Sequence, residues 1–161
     1  MSVKLNKIKK IISGGQTGAD RAAFDFALEK GFEIGGFVPK NRPAEDGKIS
    51  YKYPNLLETE TENPAERTEL NIKNADATLI LSHGELKGGS LLTLQFAKKY
   101  KKPFLHIDFS ALTVEQAARK TRKWLGSIEC ENLNVAGSRA SEDAKIYEET
   151  RKLLDYVFKS I

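Results

Sequence analysis

The sequence predicts a three-layer α/β fold, with a mainly parallel sheet of at least five strands and helices on both faces. Short apolar runs alternate with segments of helical periodicity along the chain, which is the pattern of strands joined by helical crossovers. The run from 77 to 82 is continuously apolar, as in a strand buried on both sides. With 161 residues, the chain is long enough for one domain with a real core and too short for two ordinary ones. We therefore expect a single ligand-binding domain over 1–161.

The first predicted strand ends in two glycines, and a helix start follows the turn. Thr17 and Asp20 stand three residues apart, the spacing of a capping box, and Gly31 fits a left-handed cap at the other end of the helix. A glycine turn before a helix start lets N–H groups approach an anion such as a phosphate. We expect Gly14–Arg21 to hold one; a tight strand–helix connection without a ligand is the alternative.

The later elements carry their own start signals. Asn63 and Pro64 predict the start of a second helix, and Thr113 with Gln116 forms a capping box for the fourth. The polar segment 40–62 between the second strand and second helix is predicted as a flap over the pocket, with a mobile insertion as the alternative. The predicted strands are residues 8–13, 33–38, 77–82, 103–107 and 133–136, and the predicted helices are 19–30, 64–74, 90–100, 113–126 and 141–159.

A second glycine-rich turn, 82–90, leads into the third helix. That helix is apolar on most of its surface, so we expect it to be central. Ligands of open parallel sheets bind beyond the carboxyl ends of the strands, and both glycine turns leave those ends. We expect them to hold two parts of one phosphorylated ligand. Their spacing is neither that of a dinucleotide-binding fingerprint nor that of a P-loop.

Composition excludes several classes of protein. Apolar residues make up 40% and charged residues 30% of the chain, and no apolar run approaches the length of a membrane span. The one cysteine, Cys130, excludes an intramolecular disulfide and a cysteine metal cage; we expect it on the surface. His83 and His106 lack metal-ligand spacing, although His83 lies in a predicted site turn. The net charge of +4 does not favour nucleic acid, and the N-terminus lacks a signal sequence, so we expect a cytoplasmic protein.

Six blocks of the sequence resemble the family of molybdenum cofactor carrier proteins. They run in order over nearly the whole chain, which makes the match specific. The wider group to which that family belongs is Rossmann-like and includes cytokinin-activating phosphoribohydrolases. The blocks are residues 14–22, 39–47, 67–71, 77–81, 89–93 and 133–139.

The resemblance implies a protein that binds and carries molybdenum cofactor, a pterin with a dithiolene-held molybdenum and a terminal phosphate. The dithiolene supplies the sulfur ligands, so the carrier needs no metal ligands of its own; Gln16, Asn71 and Glu45 could serve the pterin. It also implies a homo-oligomer, a dimer or tetramer. We expect no catalytic residue. The candidate ligand- and phosphate-binding residues are Gly14, Gly15, Gln16, Thr17, Gly18, Asp20, Arg21, Lys40, Arg42, Glu45, Arg67, Thr68, Asn71, Ser82, Gly88, Gly89, Ser90 and Thr93.

An alternative function is a nucleotide-binding or nucleotide-hydrolysing enzyme of the phosphoribohydrolase-like group. Those relatives carry a glutamate in the helix after the glycine-rich motif, and Gln95 stands at about that position here. Because an amide cannot act as a general acid or base, this difference favours a binding protein. An enzyme would have to use Asp20, Glu45 or Asp46 instead. A nucleotide sensor that binds and signals is a third alternative.

Overall fold

The computed structural model describes residues 7–159. Residues 1–6, which include part of the segment behind the cytoplasmic prediction, and residues 160–161 lie outside it. A six-stranded sheet consists of β1 (Lys10–Ile12), β2 (Glu33–Val38), β5 (Leu56–Glu58), β6 (Ala77–Ser82), β7 (Phe104–Asp108) and β8 (Asn132–Gly137). A small hairpin is formed by β3 (Pro43–Ala44) and β4 (Gly47–Lys48), and the helices are α1 (Ala19–Lys30), α2 (Pro64–Asn74), α3 (Gly88–Lys99), α4 (Val114–Gly126) and α5 (Ile146–Val157).

All pairings within the six-stranded sheet are parallel, in the order β5-β2-β1-β8-β6-β7. Helices α1, α5 and α4 pack side by side on one face, and α2 and α3 pack together on the other. The predicted fold class is therefore confirmed. The chain leaves β1 towards β2 on one side and leaves β6 towards β7 on the other, so the direction of the connections reverses around the carboxyl ends of β1, β8 and β6. A ligand crevice is expected at such a reversal.

The core lies mainly between the sheet and the layer of α1, α4 and α5. Ile11, Leu79 and Leu133 on the strands and Phe24 and Phe26 on α1 are fully buried. Burying side chains of this size contributes roughly 1.5–3 kcal/mol each, which fixes the strands and therefore the turns that leave them. No helix within residues 7–159 is long and apolar enough to cross a membrane.

Most of the predicted helix ends are confirmed. The Asn63 side chain accepts a hydrogen bond at the start of α2, Thr113 and Gln116 form the full capping box of α4, and Gly31 closes α1 in the left-handed conformation. The predicted capping box of Thr17 and Asp20 is wrong. The residue before α1 is a glycine, and no side chain caps this helix.

Three other differences between the predicted and the observed structure concern where elements begin or where they lie. The segment 40–62 contains the β3–β4 hairpin and the edge strand β5. Helix α5 begins at Ile146 rather than at 141, because successive turns of backbone hydrogen bonds occupy the residues after Arg139. Helix α3 is peripheral rather than central: Leu91 is 38% exposed, and the side of the helix that faces the protein carries small and polar residues.

Candidate functional site

A cleft opens at the carboxyl edge of the sheet, between α2 and α3. Its walls come from the turn after β1, from the two helices, from β8 and from the loop after β8. The residues lining it are Gly14, Gln16, Asp20, Arg67, Thr68, Asn71, Gly89, Ser90, Thr93, Asn134, Ala136, Gly137, Arg139 and Glu142. The structure thus brings together half of the predicted site residues, from both glycine-rich turns and from α2.

Small side chains keep the cleft open. Ser90 and Thr93 present the buried side of α3, and Asn134 and Ala136 reach the cleft from β8. Residues two apart on a strand point to the same face, so Asn134 and Ala136 form the floor. The exposed Leu91 follows from this arrangement, since the inward side of α3 is built to border the cleft and the large side chains face outward.

The side chain of Arg67 extends from α2 across the cleft. Its Nη1 donates to the Gly14 carbonyl at 2.6 Å, and its Nε donates to the Pro64 carbonyl at 3.2 Å. A Cβ on Gly14 would stand 2.7 Å from Nη1, so a larger residue there would displace the Arg67 side chain. Burial lowers the pKa of Arg67 below its ordinary value. Its Nη2 has no hydrogen-bond partner within residues 7–159 and stays accessible from the cleft.

Asp20 is the buried acid of the cleft. Burial raises its pKa from 3.8 to about 6, against the opposing attraction of Arg67 and a hydrogen bond from the Gln16 amide. That bond reaches Oδ2 at 3.3 Å. A carboxyl with this pKa exchanges its proton near neutral pH, a property found at many functional sites.

Several amides of the first glycine turn are already used within the protein. The Gln16 N–H binds Asp20, the Thr17 N–H binds the Gln16 side chain at 3.0 Å, and the Ala19 N–H donates to the Ser138 carbonyl at 3.1 Å. Gly18 has a φ of +82°, and a Cβ there would lie 2.3 Å from the Ser138 oxygen. The loop after β8 therefore closes the N-terminus of α1, where the sequence predicted an anion.

The N-terminus of α3 is different. The N–H groups of Gly88 and Gly89 have no partner among the described residues, the first turn carries no acidic residue, and a Cβ on Gly89 would meet nothing within 4 Å. Arg139 stands on the rim with its Nε 3.7 Å from a Glu142 carboxylate oxygen. Open amides at the positive end of a helix, next to an arginine, form a favourable place for a phosphate.

The remaining predicted residues do not line the cleft, and several of them form hydrogen bonds between neighbouring loops. Thr17 donates to Glu45, which also accepts from the Ser141 amide and hydroxyl; these bonds from Ser141 and then Thr17 lower the Glu45 pKa. Arg21 binds the Asp46 carboxylate with two nitrogens, at 2.9 and 3.1 Å, and a hydrogen bond from Arg21 lowers the Asp46 pKa.

These contacts hold the 40–62 segment against the turns beside the cleft, yet none of its residues lines the cleft itself. Arg42 is buried and donates to the Ile49 and Ser50 carbonyls. The predicted residues that stand outside the lining are Gly15, Thr17, Gly18, Arg21, Lys40, Arg42, Glu45, Ser82 and Gly88.

A second polar cluster follows β6 and β7. The buried Ser82 hydroxyl donates to the Gly84 carbonyl at 2.8 Å and lies 2.7 Å from His106 Nε2. His83 contacts Asp143 through Nδ1 at 2.6 Å and does not line the cleft.

The expectation that Cys130 lies on the surface is wrong. Cys130 is buried, and burial raises the pKa of its thiol to about 12. Within the described part of the chain, no group of three or more His, Cys, Asp or Glu side chains could hold a metal ion.

Sequence reasoning missed the contribution of β8 and the loop after it. Asn134, Ala136, Gly137, Arg139 and Glu142 line the cleft, and none of them is among the candidates predicted from the sequence. A signal for Asn134 was present, because an asparagine inside a buried strand needs a specific reason to be there.

The enclosed part of the cleft is small. Its volume is about 50 Å³, far below the roughly 300–1,000 Å³ of most small-molecule pockets. The mouth is open to solvent. A phosphorylated heterocycle can therefore enter only if part of it stays in the mouth or if Arg67 moves aside.

Comparisons with known proteins agree with this architecture. The model of the circularly permuted YpsA SLOG family matches residues 11–158. A crystal structure of a putative molybdenum carrier protein from Syntrophus aciditrophicus SB is 50% identical in sequence and superimposes with a TM-score of 0.92; the match covers 94% of this chain and 96% of that one. No curated protein matches the chain.

Proposed function

The chain belongs to the circularly permuted YpsA SLOG family, and from this premise we propose that it binds and carries molybdenum cofactor in the cleft between α2 and α3. The resemblance to molybdenum carriers predicted from the sequence is confirmed by the relative of 50% identity. The ligand, its phosphate contacts and the carrier role are the content of the proposal. It makes the protein a binder, with no catalytic residue.

The observation that carries the proposal is the open N-terminus of α3. The amides of Gly88 and Gly89 lack partners among the described residues, and Arg139 stands beside them. Glu142 places a carboxylate oxygen 4.0 Å from the position of a Cβ on Gly88. In the proposal, the terminal phosphate of the ligand takes the place of this carboxylate and binds both the amides and Arg139.

The walls of the cleft suit the pterin part of the proposed ligand. The pterin of molybdenum cofactor needs hydrogen-bonding groups, and the walls offer hydroxyl, amide and carboxyl groups from Ser90, Asn134 and Asp20. The molybdenum is held by the dithiolene of the pterin. The protein therefore has to bind the organic part and restrict access of water and oxidants to it.

Gly89 offers a matched pair of variants for the test. Its Cβ position is open and its φ is outside the left-handed region, so both Gly89→Ala and Gly89→Asp should fold. The aspartate places a negative charge at the helix N-terminus, where it also competes for the amides. We expect Gly89→Asp to lose at least tenfold in affinity for the cofactor, and Gly89→Ala to stay close to the unmodified protein.

The assay mixes each purified protein with molybdenum cofactor released anaerobically from a molybdoenzyme. Molybdenum retained after gel filtration measures binding, and the rate of appearance of the fluorescent oxidised pterin in air measures protection. A cofactor that oxidises at the same rate with and without the protein would remove the carrier role. Equal retention by the alanine and aspartate variants would remove the α3 N-terminus as the phosphate site.

The second candidate is a nucleotide-processing enzyme, and one observation favours it. Asp20 lies in the cleft with a pKa of about 6, which suits a general acid or base. Glu45 and Asp46, the other two acids considered from the sequence, are hydrogen-bonded outside the cleft lining. Release of a free base or of phosphate from a nucleotide panel, lost in Asp20→Asn, would favour this enzyme over the carrier.

A further inference from the structure

Two oxygen atoms in the cleft have no hydrogen-bond donor within residues 7–159. Asp20 is 8% exposed and accepts its one hydrogen bond at Oδ2, which leaves Oδ1 without a partner. Asn134 is 3% exposed and donates through Nδ2 to Thr78 Oγ1 at 3.3 Å, which leaves its Oδ1 without one. Both oxygens remain accessible from the cleft. Because these accessible acceptors receive no hydrogen bond from the described residues, this part of the cleft favours a ligand that brings N–H groups.

The rim of the cleft has the opposite character. Gly89 contributes an amide that no other described residue binds, and Arg139 contributes a guanidinium; these groups donate hydrogen bonds. A ligand that satisfies both ends must accept at the rim and donate at the floor. An anionic group at one end and adjacent N–H groups at the other fulfil both conditions.

Arg67 adds a flat cationic surface between the two ends. The guanidinium is held at Gly14, with no partner for Nη2 among residues 7–159, and planar guanidinium groups stack on aromatic rings. The ligand portion next to it is therefore expected to be a flat ring. A ring nitrogen carrying hydrogen beside an exocyclic amino group gives two parallel donors, the arrangement that a carboxylate accepts best.

We propose that the Asp20 carboxylate and the Asn134 carbonyl read the 2-amino-4-oxo edge of a phosphorylated heterocycle, the N–H edge shared by pterins and guanine. The proposal rests on the proposed function for the phosphate at α3 and adds the group that determines ligand selectivity. It predicts that the protein distinguishes a ligand with the 2-amino group from the same ligand without it.

Two ligand pairs isolate that amino group. Guanosine monophosphate and inosine monophosphate differ only in its presence, and in the lumazine counterpart of neopterin monophosphate an oxo group replaces it. Titration calorimetry at pH 7.5 should show the amino ligand of each pair binding about 10- to 100-fold tighter, the loss expected for one hydrogen bond to a charged acceptor. The ratio between the pterin and guanine ligands tells which heterocycle the cleft fits better.

Asp20→Asn is the decisive variant, with Asp46→Asn as its control. An asparagine retains an acceptor for the Gln16 amide but replaces the carboxylate that would accept from the ligand. We expect the preference for the amino ligands to fall to about onefold in Asp20→Asn. Inorganic phosphate should bind as before, because it contacts α3. Asp46 binds Arg21 outside the cleft lining, so Asp46→Asn should keep the preference.

The preference should also fall below pH 6, where Asp20 takes up a proton. The charged groups facing Asp20 are Arg67 from α2, Arg21 on α1 and Arg139 from the loop after β8, and arginines keep their charge throughout this range. The loss of preference with a midpoint near pH 6 can thus be attributed to Asp20.

The outcomes separate the two proposals. If all four ligands and phosphate bind, but each pair binds equally and Asp20→Asn changes nothing, the reading of the N–H edge is overturned and the phosphate site stands. If neither phosphate nor any phosphorylated ligand binds, or if Gly89→Asp leaves their binding unchanged, the phosphate site itself is wrong. A preference that survives in Asp20→Asn also overturns the inference.

Discussion

Replacing Asp20 by asparagine should make the unliganded protein more stable above pH 6. Burial raises the pKa of this carboxyl from 3.8 to about 6 in the folded protein, even with the attraction of Arg67 included. A tenfold change in proton affinity corresponds to about 1.4 kcal/mol, so keeping Asp20 ionised in the folded state costs up to about 3 kcal/mol. Asparagine is neutral at every pH and can still accept the hydrogen bond from the Gln16 amide.

The direction of this pH dependence follows from the linkage between proton binding and folding. Because the folded pKa lies above the unfolded one, the contribution of Asp20 to stability is fully present below about pH 4 and is lost as the pH rises through about 6. The variant lacks this loss. The difference in free energy of unfolding between Asp20→Asn and the unmodified protein should therefore grow from pH 4 to pH 7 and then stay constant.

Urea unfolding followed by circular dichroism at half-unit pH steps measures this difference. Asp46→Asn is the opposite control, since the ion pair with Arg21 lowers the Asp46 pKa and its side chain is half exposed. That variant should lose at most about 1 kcal/mol at neutral pH, and the loss should shrink as the pH falls. Parallel stability curves for Asp20→Asn and the unmodified protein would refute the reasoning about burial.

Two further predictions concern the loops around the cleft. Glu45→Gln should weaken the contacts of the hairpin with Ser141 and Thr17, so limited proteolysis near residue 47 should be faster in the variant at pH 7. Because these bonds lower the Glu45 pKa, the unmodified protein should release the hairpin as the pH falls through that pKa, and the difference in proteolysis should disappear below it. Gly18→Ala should lower the free energy of unfolding by about 2 kcal/mol or more, because its Cβ would lie 2.3 Å from the Ser138 oxygen at a φ of +82°; an unchanged urea midpoint would contradict the close approach.

The architecture was predicted well from the sequence where the periodic segments are long. Strands β2 and β6 and helices α1 and α2 have the predicted bounds, because their apolar spacing and their terminal residues agree. The hairpin β3–β4 and the strand β5 were missed, since two- and three-residue strands are too short to show alternation.

The position of α3 could not be read from its composition. Its leucines predicted a central helix, whereas Ser90, Thr93 and Ala97 form the side that packs inward. A helix that borders a ligand cleft presents small polar groups to the protein, and this inverts the usual relation between apolarity and burial.

The candidate site was predicted in location and partly in its residues. The meeting of the two glycine turns at one edge followed from the parallel topology. What the sequence could not give was the pairing of the first turn with the loop after β8, because Ser138 is 119 positions from Ala19 in the chain. The role of Asn134 likewise depended on knowing that β8 inserts between β1 and β6. Oligomerisation and a cytoplasmic location stay predictions.

The position of β8 has a consequence for how the molecule comes into being on the ribosome. This strand follows all others in the described chain, yet it joins β1 to β6 in the middle of the sheet. Until β8 emerges, the edges of β1 and β6 that it pairs with stay unpaired in the nascent chain, and edges of this kind promote aggregation. The nascent chain up to that point also lacks Asn134, so the candidate cleft can form only once synthesis has passed that residue.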